Sequence, residues 1–309
     1  MATVSTAPAP VQSRPRVTRM RRSQARTAWL LAIPFLLLFA VFSLGPVLAS
    51  LFMSVTDMRS TDLRNPFAVN FADIGNYTDV LSDPLFRKVA WNTAIFVLVG
   101  VPLTMVLALA AAVGLNGITR LRGFFRLGYY LPVVTSIVAV AVVWRFLLQP
   151  DTGPVNQLLG LVGIDGPDWL GSTTLALPTL IVMAAWRNLG YLMVIFLAGL
   201  QTVPRELLEA AEVDGAGRWQ RFRYVTLPML RPVLLFGAVI TGIGYLQFFE
   251  EPFVMTQGGP LDSTRSIAYY VYDQFSFGNY GFAAAASYVL FIAIVALTAV
   301  QFRILRPKD

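Results

Sequence analysis

Residues 204–228 read Pro204-Arg-Glu-Leu-Leu-Glu-Ala-Ala-Glu-Val-Asp-Gly-Ala-Gly-Arg-Trp-Gln-Arg-Phe-Arg-Tyr-Val-Thr-Leu-Pro228, a charged stretch set between two long apolar runs. Pro204 suits the first turn of a helix, where its missing N–H is not needed, and Gly215 and Gly217 suit the end of one, where a left-handed backbone is common. A second short helix follows and closes before Pro228. The stretch is therefore expected to be a helix-turn-helix lying outside the apolar phase and joining two segments that lie within it.

The flanking runs recur along the chain. Of the 309 residues 56% are hydrophobic and only 13% are charged, with a mean hydropathy of +0.63. Soluble domains carry roughly a quarter charged residues, so this composition belongs to a membrane protein. Roughly 20 apolar residues cross a bilayer core, and stretches of that length fall at about 27–53, 90–115, 124–149, 174–200, 229–255 and 280–303. The expected fold class is an all-α membrane protein with six transmembrane helices over residues 27–309. Small residues at Ala108–Ala112, Gly237–Gly244 and Ala283–Ser287 let such helices approach closely. Residues 1–26 are rich in Ala, Pro, Ser and Arg and are expected to be a disordered basic tail. The following run spans a bilayer and lacks a small-residue cleavage site, so it is expected to remain as the first helix.

Charge placement sets an expected orientation. With the tail in the cytoplasm, the segments 1–26, 116–126, 201–231 and the end from Arg303 lie inside and hold seventeen of the 24 basic residues. The outer segments 54–89, 150–173 and 256–279 hold Arg59, Arg64, Arg87, Lys88 and Arg265. The positive-inside rule then puts both termini in the cytoplasm. The net charge of +7 follows membrane sidedness and gives no reason to expect a nucleic-acid partner.

Cysteine and histidine are absent, which removes disulfides, thiolate nucleophiles and the usual transition-metal sites. No acid, base and nucleophile constellation can be assembled, so a membrane enzyme is disfavoured. No Gly-rich loop ends in Gly-Lys-Ser or Gly-Lys-Thr, so no cofactor is expected here and any ATP must be bound by a partner.

Glu209, Ala210, Ala211, Asp214 and Gly215, with Val225, Leu227 and Pro228 at matching spacing, resemble the EAA loop of binding-protein-dependent ABC importer permeases. Val225 stands where that pattern has Ile. The resemblance extends through Trp186-Arg-Asn-Leu-Gly-Tyr191, Phe196-Leu-Ala-Gly-Leu-Gln201 and Phe248-Phe-Glu-Glu-Pro-Phe-Val-Met-Thr-Gln-Gly-Gly-Pro260, and covers all but the basic tail. The Thr-x-Gly-Gly-Pro ending is similar to carbohydrate permeases of the maltose, lactose and glycerol-phosphate type. The resemblance implies a type I ABC importer permease fold, in which residues 204–228 form the coupling helix that docks on an ATP-hydrolysing subunit. It implies a second permease subunit, two ATP-binding cassette subunits and an extracytoplasmic solute-binding protein as partners, and that the membrane is a bacterial plasma membrane.

By the same resemblance the sugar pathway falls at Trp186, Asn188, Tyr191, Thr241, Gly244, Tyr245 and Phe248. Gln247 joins them as a hydroxyl partner, and aromatic faces there suit the apolar faces of a sugar ring. Four charges fall within spans: Arg145, Arg187, Glu250 and Glu251. Facing lipid, each would cost about 3 kcal/mol or more, so they are expected to face the bundle or an interface. Arg187 is open between pairing and ligand contact; for the other three, pairing or snorkelling is the expectation. Two rival functions stand beside sugar import, namely an importer permease for a non-sugar solute and an ion-coupled secondary transporter. The second offers no reason for the loop around Glu209.

Overall fold

The computed structural model describes residues 18–64, 69–118 and 121–305. Among them the chain is helical, with a single isolated bridge between Thr56 and Phe71. It divides into two compact units, Met1–Ser50 and Leu51–Asp309. At the start of the described residues, α1 (Thr18–Phe39) continues through a π-helical turn (Ala40–Leu44) into α2 (Gly45–Ser54). The helix runs back to Thr18, so the last part of the stretch expected to be disordered is helical. Pro15 is the last proline before Pro34, and Arg, Gln, Ala and Met between them are good helix formers. The rest of the expected tail, 1–17, lies outside the described residues.

The second unit contains α3 (Gly75–Ser82), α4 (Pro84–Asn116), α5 (Arg122–Val134), α6 (Ile137–Leu147), α7 (Pro154–Leu161) and α8 (Ala176–Gln201). The 204–228 segment holds α9 (Arg205–Val213), α10 (Arg218–Arg221) and the start of α11 (Leu227–Met229). After it come α12 (Arg231–Leu246), α13 (Glu250–Met255), α14 (Ile267–Ser276) and α15 (Tyr280–Leu305). Among the described residues four helices, Gln24–Ser54, Pro84–Asn116, Ala176–Leu200 and Tyr280–Leu305, are long and apolar enough to cross a membrane. Two bent pairs, Gly123–Val134 with Ile137–Leu147 and Arg218–Met229 with Arg231–Leu246, raise the number to six when each is one span.

Two expected spans are broken. Within 124–149 the chain turns by 98° between α5 and α6. Thr135 and Ser136 are extended there, just after Pro132, whose ring fixes φ and removes a donor. The expected span 229–255 ends its helix at Leu246 and restarts at Glu250. Pro252 is the reason, since a continuous helix would drive its ring against the carbonyl of Phe248.

The core runs between α4 and α8. Phe96, Val97 and Val101 pack with Leu180, Ile181, Met183 and Ala184 at one end, and Ala108, Ala112 and Leu115 with Met193, Phe196 and Leu197 at the other. Close approach depends on small residues, because lipid tails supply no hydrophobic drive between helices. A Cβ at Gly237 of α12 would lie 2.8 Å from the Phe196 ring of α8. Ala283 to Ala286 of α15 are likewise buried.

Candidate functional site

The break between α12 and α13 makes a cavity. Thr241, Gly244 and Tyr245 share one face of α12 by their i, i+3, i+4 spacing. Gln247, Phe248 and Phe249 follow in the break, and Glu250 and Glu251 begin α13. Together with Arg187, Asn188, Tyr191 and Leu192 of α8 and Ile240 of α12 they enclose about 510 Å³. That volume lies within the range of small-molecule sites.

Its aromatic floor is anchored to α4. Phe248 stacks on Phe96 with centroids 3.8 Å apart and planes 6° from parallel, and Tyr245 meets Phe96 edge-on at 5.1 Å. The Tyr245 hydroxyl lies 2.8 Å from the Thr104 hydroxyl, and Gly100 leaves room for its ring, since a Cβ there would sit 2.8 Å from it. Asn188 donates to the Ala184 carbonyl at 2.9 Å. No atom lies within 4 Å of where a Gly244 Cβ would stand.

Seven of the eight residues expected along the sugar pathway therefore line one cavity. Trp186 does not. It is 43% exposed, and its ring lies 5.7 Å from Trp144 of α6. The 100° step per residue carries position 186 to another face of α8 than Arg187 and Tyr191. Leu192, Ile240 and Phe249 line the cavity without having been expected to. Ile240 was readable in principle, being four residues before Gly244 on the same helical face.

Of the outcomes expected for the four charges, pairing is not found among the described residues. Among the described residues the ion pairs are Arg221 with Glu212 and Arg265 with Asp262 and Asp273, so none of Arg145, Arg187, Glu250 and Glu251 is ion-paired. Arg145 instead donates to the Val254 carbonyl at 3.2 Å, tying α6 to α13. It needs no acid because its position at the end of a bent span brings a carbonyl of α13 within reach. Arg187, Glu250 and Glu251 all line the cavity.

In the 204–228 segment the expected helix-turn-helix forms, as α9, α10, a π-helical turn (Phe222–Thr226) and α11. The end of α9 is a Schellman motif: Ala216 N–H donates to Ala211 C=O at 2.9 Å and Gly215 N–H to Glu212 C=O at 3.0 Å. Gly215 has φ +82°, the left-handed conformation that favours glycine. Arg221 pairs with Glu212 across the turn, and the Gln220 side chain accepts from Gly217 N–H at 2.7 Å. Glu209, Ala210, Asp214 and Gly215 are exposed and Ala211 half-buried. Beside them Leu207 and Val213 are exposed, Val213 at 88%, an apolar addition that the motif's charged residues did not announce.

The Thr256–Pro260 stretch is a compact loop. Thr256 and Thr264 share a hydroxyl contact at 2.7 Å, and the Thr264 hydroxyl donates to Gly259 C=O at 2.9 Å. Asn92 of α4 donates to the carbonyls of Asp262 and Arg265 at 2.8 and 3.0 Å. Asp273 faces Arg265 from α14. Burial holds its carboxyl above the usual range, the Arg265 charge opposes that shift, and Asp262 adds to it.

The chain belongs to the family of binding-protein-dependent transport system inner membrane components, whose model matches residues 100–308. It is thus a multi-pass transport component of the bacterial inner membrane, an ABC importer permease that works with a solute-binding protein. It is 36% identical to the lactose transport system permease protein LacF of Rhizobium radiobacter, over 94% of this chain and 97% of that one. It is 34% identical to the arabinooligosaccharides transport system permease protein AraP of Halalkalibacterium halodurans, over 90% of this chain and 87% of that one. A chain from the crystal structure of a bacterial alginate ABC transporter, in complex with an alginate pentasaccharide-bound periplasmic protein, shares the fold. The TM-score is 0.76 at 24% identity, covering 93% of this chain and 96% of that chain.

Proposed function

We propose that this chain forms half of the translocation pathway for a sugar or sugar-like solute. A second permease subunit would complete the pathway and two ATP-binding cassette subunits would drive it. The observation that carries the reading is the cavity: Asn188, Tyr191, Thr241, Gly244, Tyr245, Gln247 and Phe248, drawn from α8, α12 and the break after α12, border one space. Apolar ring faces beside amide and hydroxyl groups suit a sugar, whose rings are apolar on their faces and polar at their edges. The sugar-transport names of relatives that align over nearly the whole chain support the same cargo class. ATP is bound by the partners, and the exposed residues Glu209, Ala210, Asp214 and Gly215, with the half-buried Ala211, dock against them.

Gly244 tests the cavity most cleanly, because a side chain there meets only open space. Gly244→Leu is expected to fill part of the cavity, leave assembly intact and lower uptake about tenfold or more by occlusion. The measurement is uptake of labelled sugar into vesicles carrying the assembled transporter, with co-purification of the subunits as the control. Parental uptake in that variant would remove the cavity from the pathway.

Both termini are placed in the cytoplasm on the distribution of Arg and Lys. The native chain lacks cysteine, so single cysteines label without background. In intact cells, cysteine at the exposed Thr173 is expected to react with an impermeant maleimide and cysteine at the exposed Gln220 to remain unlabelled. The reverse pattern would invert the topology.

A further inference from the structure

Three charged side chains line the cavity, and among the described residues none of them is ion-paired. Arg187 on α8 forms neither an ion pair nor a hydrogen bond among the described residues, and its Nε is buried without an acceptor. Glu251, at the start of α13, is 7% exposed, and among the described residues no ion pair reaches its carboxyl. Glu250 beside it is exposed at the rim.

Glu251 is buried and Arg187 is half-buried with its Nε enclosed, and a charged group drawn out of water is costly unless it is paired and hydrogen-bonded. Two such groups sharing one cavity ordinarily close onto each other. Here they stand on different helices, beyond ion-pair distance, with the cavity between α8 and α13 adjoining both. Their missing partners are therefore to be sought in what occupies the space. A hydroxyl both donates and accepts, so one polyol can accept from the guanidinium and donate to the carboxylate at once. A sugar carboxylate would satisfy Arg187 but set a second negative charge near Glu251 and Glu250. A sugar ammonium would satisfy the glutamates but crowd Arg187. An uncharged occupant alone leaves the half-buried cation and the buried carboxylate in balance.

We infer, resting on the reading of this cavity as the sugar path, that Arg187 and Glu251 are its specificity-determining residues. They form a separated cation and carboxylate that the hydroxyls of an uncharged sugar bridge, and that reject a uronate. The pair acts by charge balance as well as by contact, so removing one member changes which sugar is favoured. Discrimination of this kind arises because a site built around polar partners penalises an occupant that leaves them unmatched.

The test is transport by the complete transporter in vesicles, with maltose, lactose and digalacturonate as probes and subunit co-purification as the assembly control. The parent is expected to carry at least one of the neutral disaccharides and to carry digalacturonate about tenfold or more slowly. Arg187→Gln should raise KM for the neutral sugar about tenfold, whereas Glu251→Gln should raise digalacturonate uptake relative to neutral sugar by a similar factor. Arg187→Lys, which keeps the charge, should keep the parental ratio. A residue that only supports packing would lower all rates together and leave the ratio unchanged. Parental preference for digalacturonate, or an unchanged ratio in both Gln variants, overturns the inference. If a Gln variant fails to assemble, the melting temperature of the parent and of Arg187→Lys decides. Stabilisation by a neutral disaccharide and not by digalacturonate supports the inference, and stabilisation by digalacturonate overturns it. The Gly244→Leu variant separates the two levels of the reading. If it blocks uptake while the ratios stay flat, only the charge assignment fails; if it transports normally, the cavity reading fails.

Discussion

Glu209→Lys and Gly215→Val are each expected to abolish most uptake while leaving the membrane bundle folded. Glu209 is exposed and forms no ion pair among the described residues, so reversing its charge removes no stabilising contact within the chain. Its effect must be felt by a partner. Charge reversal at a docked contact costs several kcal/mol, on the order of a hundredfold in association. Gly215 stands at φ +82° with no atom within 4 Å of where a Cβ would stand, so valine there strains the backbone without a clash. A β-branched residue resists the left-handed turn, and about 1–2 kcal/mol of strain would be relieved by unwinding the end of α9. That end carries Ala210, Ala211 and Asp214, so the docking face loses its shape. Uptake and ATP hydrolysis are measured together in reconstituted vesicles, with co-purification of the ATPase subunit. Near-complete loss of uptake with normal membrane insertion is the expected result. Parental uptake and hydrolysis in both variants would take the coupling role away from this loop.

Gly190→Leu should act at the opposite level, on the bundle itself. Gly190 lies in the middle of α8, where α5 crosses it, and a Cβ there would come within 1.9 Å of the Tyr129 carbonyl oxygen. The obstacle is backbone, so no side-chain rotation relieves it. Even alanine requires α5 to move away from α8, and leucine requires more. Overpacking typically costs about 1–3 kcal/mol and more where backbone must shift. α5 is half of a bent span, joined to α6 across the extended Thr135 and Ser136, so a displaced α5 is poorly held by its own chain. A large fall in the melting temperature of the detergent-solubilised protein, with loss of uptake, is expected. Gly114→Ala supplies the control, since it lies in α4 with open space around it and should melt as the parent does. An unchanged melting temperature for Gly190→Leu would mean that α5 and α8 do not approach as closely as described.

The membrane class, the apolar segments and the helix-turn-helix at 204–228 were legible from the sequence alone, because each rests on local chemistry. Apolar length sets a span, and Pro204 and Gly215 set the ends of α9 within a few bonds of where they act. Thr241, Gly244 and Tyr245 of the cavity were named through the family resemblance, and the helical period accounts for their sharing one face.

Only the tertiary structure decided the rest. Whether Trp186 meets the cavity depends on how α8 is turned toward α12, and it turns Arg187 and Tyr191 inward instead. The loop at 256–265 is held by Asn92, which stands 170 residues before its partner Asp262, a contact that no local spacing encodes. Arg145, Arg187, Glu250 and Glu251 were legible as charges within apolar runs. Whether each is paired is a question of distance between helices, and the break at Gln247–Phe249 settles it by parting α12 from α13 and opening the cavity that Arg187 and Glu251 border. Local sequence determines which segments enter the membrane because the free energy of transfer from water accumulates residue by residue. Which side chains then meet is determined by helix packing, where one rotation or bend moves every contact at once.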